Sequence, residues 1–208
     1  MKKIDIYNRF KEAYDGFIKE ARKHIATIDK ANGAIASNRY SDQVNKDKQN
    51  EIFEAQSAMN ALRLRFEKEL DAIEAQTMED IAALDNIVPS DLVGEVVEVI
   101  RLAKDGMVTL TARELDAMID SNAGNRTMCR IIGEYVKQNK IKVSNQHLVD
   151  VWMGYAEELK KYTHNIYYSF NIAKERSVDA SGLEKYYDLM VGEESPAYKN
   201  AAADNTEY

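Results

Sequence analysis

The sequence is poor in residues that interrupt regular structure. Its 208 residues include only two prolines, Pro89 and Pro196, and nine glycines. Sheet proteins and linker-rich chains need more of both residues at their turns. The composition therefore predicts an all-α fold with long, uninterrupted helices.

Cysteine is almost absent as well, because Cys129 is the only one. A single thiol excludes a disulfide framework and favours a reducing compartment. The sequence has no apolar run of about 18 residues, and polar residues interrupt its basic start, so neither a membrane span nor a signal peptide is predicted. We expect a cytoplasmic protein, or part of a particle assembled in a host cytoplasm.

Motifs that carry chemistry are missing too. The chain contains no G-x-G-x-x-G, no Gly-Lys-Ser/Thr phosphate loop, no H-E-x-x-H and no G-x-S-x-G. None of His24, His147 and His164 has a glutamate three residues before it, as a di-iron bundle would need. We therefore expect no enzyme, no cofactor and no metal.

The net charge of −7 is distributed in blocks. Residues 1–40 carry +4, residues 41–124 carry −10, residues 125–176 carry +4 and residues 177–208 carry −5. An acidic chain is not typical of general nucleic-acid binding, which replaces phosphate counterions with Lys and Arg. Alternating blocks suit pairing of segments within a chain or between copies, although ordinary solvated helix faces would produce them equally well.

Residues 1–88 predict a long antiparallel helical hairpin of coiled-coil type. The first helix, 4–31, has apolar residues at alternating steps of three and four, and a connection at 32–41 leads into a second helix that runs to 88. The second helix carries an eleven-residue repeat, which is typical of a nearly straight packing stripe. The stripe consists of Leu62, Phe66, Leu70, Ile73, Thr77, Ile81, Leu84 and Val88.

Residues 89–192 predict a smaller helical bundle, and the acidic residues 193–208 predict a disordered tail. Within the bundle, Thr111 and Glu114 have the spacing of a capping box. The last third is rich in aromatic residues with polar tips, which are favoured at interfaces but are equally typical of a core stripe. The predicted interaction residues are Phe66, Leu70, Ile73, Ile81, Leu84, Trp152, Tyr155, Tyr162, Tyr167 and Tyr168.

The segment 111–140 permits an alternative interpretation. Two short helices around a turn at 121–125 resemble a helix-turn-helix DNA reader, with the hairpin as its dimerisation element. The turn is about two residues too long for that motif, and Asp116 occupies a position where a small apolar residue normally packs.

Part of the same segment resembles small helical proteins of tailed phages that infect Gram-positive bacteria. The resemblance lies in Leu110–Leu115, in Asn125 and in Arg130–Tyr135. It implies a structural, scaffolding-type role in virion assembly and assigns no functional residue. We therefore expect a non-enzymatic assembly protein whose partners are itself, other structural proteins or both, with no membrane or nucleic-acid role.

The stripe on the second helix generates a first prediction. Phe66→Asp or Ile73→Asp places an unpaired charge inside a helix–helix contact, which costs several kcal/mol and should lower the melting temperature or dissociate an oligomer. Lys68→Ala and Glu69→Ala lie off the stripe and should change stability by only about 0.5 kcal/mol. Thermal unfolding of the four variants checks the register, and the reverse ranking would contradict it.

Overall fold

The structure, a computed structural model, describes residues 1–37, 41–84 and 86–203. Within these ranges the regular elements are helices, with no strand, which confirms the all-α prediction. The α-helices are α1 Lys3–Ala36, α2 Asp42–Ala83, α3 Gly94–Lys104, α4 Ala112–Ser121, α5 Arg126–Gln138, α6 Gln146–Arg176, α7 Ala180–Val191 and α8 Pro196–Ala202, and a 3-10 turn spans Pro89–Asp91.

The two long helices differ from their predicted ends. Helix α1 continues through Asn32 and Gly33 to Ala36, so these residues do not stop it. Helix α2 ends at Ala83, five residues before the predicted end at Val88. After Ala83 the α-helical pattern gives way to a tighter turn, in which the Leu84 amide donates a hydrogen bond to Ile81 O at 3.0 Å. Part of the predicted connection at 32–41, residues 38–40, lies outside the described residues.

The predicted disorder of 193–208 is wrong for its central part, where α8 forms. Ser195 caps this helix by accepting a hydrogen bond from the Tyr198 amide at 3.0 Å, and Pro196 occupies the first turn. The Tyr198 ring then packs edge-on against Tyr7, with 5.9 Å between ring centroids. An N-cap, a helix-compatible proline and an aromatic anchor thus outweigh the polar composition. Residues 204–208 lie outside the described residues.

The chain forms two compact units whose boundaries differ from the predicted division at 88. Among the described residues, the terminal unit combines Met1–Glu79 with residues 161–203, and the central unit is Asp80–Lys160. The difference arises because the aromatic stripe of α1 is covered by helices from the far end of the sequence as well as by α2. The predicted division at 88 placed α1 and those later helices in separate domains.

In the terminal unit α1 and α2 pack antiparallel. Three contacts between the helices set the register. Their residue numbers decrease along α2 as they increase along α1, as expected for an antiparallel pair. Arg9 donates to Thr77 Oγ1 at 3.3 Å, the rings of Phe17 and Phe66 stack with centroids 4.8 Å apart, and Arg65 pairs with Glu20 at 2.6 Å.

The second half of α6 lies against both helices. The Phe170 ring contacts Phe10 at 6.1 Å and Tyr14 at 5.2 Å, between ring centroids. On its α2 side, Tyr167 donates to Asp71 at 2.8 Å, and the buried Lys174 ammonium lies 3.1 Å from a Glu67 carboxylate oxygen. These contacts run in opposite sequence directions on the two helices, so α6 is antiparallel to α2.

Helices α7 and α8 complete the terminal unit against α1. The Tyr7 hydroxyl donates to the carbonyl of Met190 at 2.9 Å, and the Tyr187 ring stacks on Tyr14 with centroids 6.4 Å apart. Aromatic pairs of this kind contribute roughly 0.5–1.5 kcal/mol each beyond their buried area. The heptad side chains of α1 therefore form the core of a helical bundle inside one chain.

The central unit has its own apolar core and a set of polar caps. Thr111 and Glu114 form the predicted capping box, with the Thr111 amide donating to Glu114 Oε2 at 2.8 Å. Asp116 accepts the backbone amides of Ser144 and Asn145 at 2.7 and 3.0 Å, which explains its presence at a position that looked unsuitable. The buried core residues are Ile100, Leu110, Leu115, Ile119, Ile132, Tyr135, Val136, Val143 and Val149.

Helices α5 and α6 approach so closely in this unit that Gly133 has no room for a side chain. A Cβ there would lie 2.3 Å from Val149 Cγ1 and 3.0 Å from Met153 Sδ. Gly133→Ala should cost about 1–3 kcal/mol, because Val149 is buried and stiff. The matched control, Gly154→Ala, has open space and should stabilise α6 by up to about 1 kcal/mol. Urea unfolding of both variants measures the difference, and equal effects would contradict the close approach.

Buried tyrosines in the terminal unit make its stability sensitive to alkali. Burial raises the pKa of Tyr7 and Tyr14 to about 12, from an ordinary value of 10.0. The folded state therefore holds these protons more tightly than the unfolded chain, so stability is intact below pH about 10 and falls as the pH rises towards about 12. Tyr14→Phe should flatten this decline in urea titrations across that range, and an unchanged slope would contradict the assignment.

Candidate interaction surface

Helix α2 presents two chemically different sides. Its inner side carries Leu62, Phe66 and Leu70, all buried against the neighbouring helices. Its outer side carries two large apolar residues in water, Phe53 at 70% exposure and Leu64 at 62%. Phe53 and Leu64 are eleven residues apart, which is three helical turns, so they share one face of α2.

The predicted interaction residues of α2 lie mainly within the chain's own core. Phe66, Leu70 and Ile81 are buried, and a buried side chain has no surface to offer a partner. Ile73 and Leu84 are partly buried. Ile73 faces a groove on the surface of the α1–α2 pair. The eleven-residue repeat identified a real packing face, and that face is filled by helices of the same chain.

The predicted aromatic residues separate between the two units. In the central unit, Trp152 donates its indole N–H to the carbonyl of Ala123 at 3.2 Å and packs edge-on with Tyr155. Both rings are partly buried, and Trp152 thereby ties α6 to the turn between α4 and α5. These contacts give Trp152 and Tyr155 a packing role inside the unit.

In the terminal unit Tyr162 is buried. Tyr167 is half-buried and donates a hydrogen bond to Asp71. That hydrogen bond, with a smaller effect of burial, raises the pKa of Tyr167 to about 12. Tyr168 is 60% exposed and is the only one of the ten predicted residues with a largely free side chain.

The distal part of the α1–α2 pair buries very little. We call this part the arm and define it as residues 30–37, where α1 ends, together with residues 41–58, where α2 begins. Among these described residues only Ala31 and Ala55 are buried. Two helices that pack through so few side chains are marginal in water, because most helical stability in proteins comes from tertiary packing. The arm is therefore the part of the terminal unit that gains most from a partner.

The outer side of α2 consists of mostly polar, exposed positions with Phe53 and Leu64 among them. Positions that alternate by four and three residues form a continuous heptad stripe, which we call the outer stripe. Every member except the half-buried Glu67 is exposed. The outer stripe consists of Lys46, Asn50, Phe53, Ser57, Asn60, Leu64, Glu67 and Asp71.

A second candidate surface is the groove between α1 and α2. It encloses about 600 Å³ and is lined by Arg9, Glu12, Ala13, Glu69, Ala72, Ile73 and Gln76. A smaller hollow of about 240 Å³ continues it past Gly16 to Glu20 and Arg65. Hydrogen bonding to the Arg65 guanidinium lowers the pKa of the Glu20 carboxyl. Small residues and alternating charges line this groove, but large exposed apolar side chains do not.

The helix-turn-helix alternative meets a steric difficulty. Helices α4 and α5 do flank a four-residue turn, and Asn125 caps α5 by accepting the Met128 amide at 3.0 Å. A recognition helix contacts bases with the residues of its N-terminal turn. Here Thr127, Met128 and Cys129 are buried, and burial raises the pKa of the Cys129 thiol. That turn of α5 therefore has little surface with which to enter a DNA groove.

Among the described residues, no cluster of three or more His, Cys, Asp or Glu side chains has a metal-binding arrangement, and no helix has the length and apolarity to cross a membrane. No protein-family model, curated protein or solved structure matches the chain.

Phe53 and Leu64 are not among the predicted interaction residues, although both are large apolar side chains exposed on α2. Both residues lie on the side of α2 opposite the apolar stripe, at positions whose heptad neighbours are Lys46, Asn50, Ser57, Asn60, Glu67 and Asp71. Because those neighbours are polar, apolar periodicity identifies the buried stripe and not this side of the helix.

Proposed function

We propose that this protein is a non-enzymatic structural or assembly protein that acts through helix-mediated self-association. The observation that carries the proposal is the weakly buried arm, together with Phe53 and Leu64 exposed on the outer side of the same helix. The free energy falls when another helix covers large apolar side chains that are exposed to water, and Phe53 and Leu64 lie within and next to the marginal arm.

The resemblance of 110–135 to small helical phage proteins suggests the biological setting. In that setting the protein is a virion or scaffolding component, assembled in the host cytoplasm with copies of itself or with other structural proteins. Capsid or portal genes beside its own gene would support this context.

The alternative, a DNA-binding regulator that uses 111–140, is supported by the helix–turn–helix order of α4 and α5. The buried first turn of α5 and the acidic net charge of −7 favour the assembly role instead. A mobility shift with duplex DNA that weakens steeply with salt would reverse this preference.

Self-association should appear directly in sedimentation experiments. At micromolar concentrations the mass should exceed the 23.7 kDa of one chain and should increase with concentration. Hydrogen exchange of the arm amides should slow over the same concentration range, because association covers a marginal helix pair. A monomer at all concentrations, with arm amides already protected, would contradict the proposal.

A further inference from the structure

The outer stripe has the geometry of a helix–helix seam that lacks its partner. Its eight members span four heptads along α2, from Lys46 to Asp71, a length of about 38 Å at 1.5 Å per residue. The stripe lies opposite Leu62 and Ala55, which face the inside of the terminal unit. Helix α1 therefore leaves the outer stripe uncovered.

We propose that the partner is a second copy of this chain, whose α2 packs antiparallel along the outer stripe. This inference rests on the proposed self-association and specifies its surface and register. The two-fold axis passes between Ala58 and Met59. Phe53 of each copy then meets Leu64 of the other, which covers the two most prominent apolar side chains of α2 twice in one interface.

Charge complementarity selects this occupant and this direction. In the antiparallel register Lys46 lies opposite Asp71 of the second copy, and this pair also occurs twice. On one flank, Lys68 lies near the carboxylates of Asp47 and Glu54 of the second copy. A parallel, in-register pair would instead place Lys46 against Lys46 and Asp71 against Asp71, and like charges at such distances repel.

The remaining layers are polar and limit the strength of the contact. At the centre Asn60 lies opposite Ser57 of the second copy, and towards the ends Glu67 lies opposite Asn50. Polar residues in a coiled-coil seam fix register at some cost in stability. Two Phe–Leu layers in an otherwise polar seam therefore suit a reversible dimer, as an assembly intermediate requires.

Helix α6 meets the outer stripe at its C-terminal end, through Glu67 and Asp71. Glu67 and Asp71 point partly towards α6, where they meet Lys174 and Tyr167. Asp71 remains exposed. Because a carboxylate accepts several hydrogen bonds, Asp71 can pair with a second group while it accepts the hydrogen bond from Tyr167. Lys46, Phe53 and Leu64 make no such contact with α6 and are open to solvent.

An exchange of apolar layers for charges tests the register. Phe53→Glu and Leu64→Lys each replace an exposed side chain, so both variants should keep the wild-type melting temperature as monomers. Each should weaken the dimer at least about tenfold in sedimentation equilibrium, because each disrupts both Phe–Leu layers. The double variant Phe53→Glu/Leu64→Lys places each new carboxylate opposite a new ammonium group. It should form dimers at concentrations where both single variants are monomeric.

The double variant separates the two directions of packing. In a parallel, in-register dimer it would stack like charges, and within one chain the two positions are about 16 Å apart, too far to pair. Recovery of the dimer therefore supports the antiparallel register, and failure to recover overturns it.

Ala72→Glu is the matched control for the groove on the α1–α2 pair. Ala72 is exposed on the same helix but lines that groove, outside the outer stripe. Its substitution should leave the dimer unchanged. Dissociation by Ala72→Glu, with no effect of Phe53→Glu or Leu64→Lys, would overturn the outer stripe and leave self-association standing. A wild-type chain that stays monomeric would overturn both proposals.

Discussion

The terminal unit depends on the packing around one tyrosine. The Tyr14 ring contacts Phe66 of α2, Phe170 of α6 and Tyr187 of α7, so four helices including its own meet at this position. Its hydroxyl lies 3.4 Å from Ser177 Oγ, which gives the buried polar tip a hydrogen-bonding partner. This contact fixes which side of α2 faces inward, and the outward side follows from it.

Orientation of α2 is therefore the link between folding and the proposed assembly role. A long helix with one apolar stripe could rotate or slide if its neighbours were smooth. The Phe66 ring stacks on Phe17 and also contacts Tyr14, and these interlocking rings fix the rotation of α2 about its own axis. The polar contacts of Arg65 with Glu20 and of Tyr167 with Asp71 then hold the position along the axis.

Much of the local structure was predictable, because helix periodicity and caps are encoded over a few residues. The alternating three-and-four spacing of α1 correctly predicted a packing face, which contains the buried Tyr7, Phe10 and Tyr14. The spacing of Thr111 and Glu114 correctly located the start of α4. The residues that cover that face could not be predicted in the same way. Phe170 and Tyr198 are far from α1 in sequence, and the periodicity of an apolar face does not specify which residues will cover it.

The candidate surface could not be predicted from apolar periodicity either. Phe66 and Leu70 were predicted for interaction because they formed the clearest apolar pattern, and that clarity reflects their burial within the chain. Phe53 and Leu64 stand out only after α1 and α6 have been placed around α2. Asp116 was similarly misleading, because its amide partners at Ser144 and Asn145 belong to the segment that precedes α6, on the far side of α5 in the sequence.

The interrupted path of the terminal unit has a consequence for synthesis on the ribosome. Helices α1 and α2 emerge first, but their ring cluster is completed by Phe170, Tyr187 and Tyr198, which are made after the whole central unit. At roughly 5–20 residues per second, the nascent chain exposes an incomplete aromatic face for about ten seconds. During that interval the central unit is free to fold alone, while the first two helices remain a substrate for chaperones or for neighbouring nascent chains on the same message.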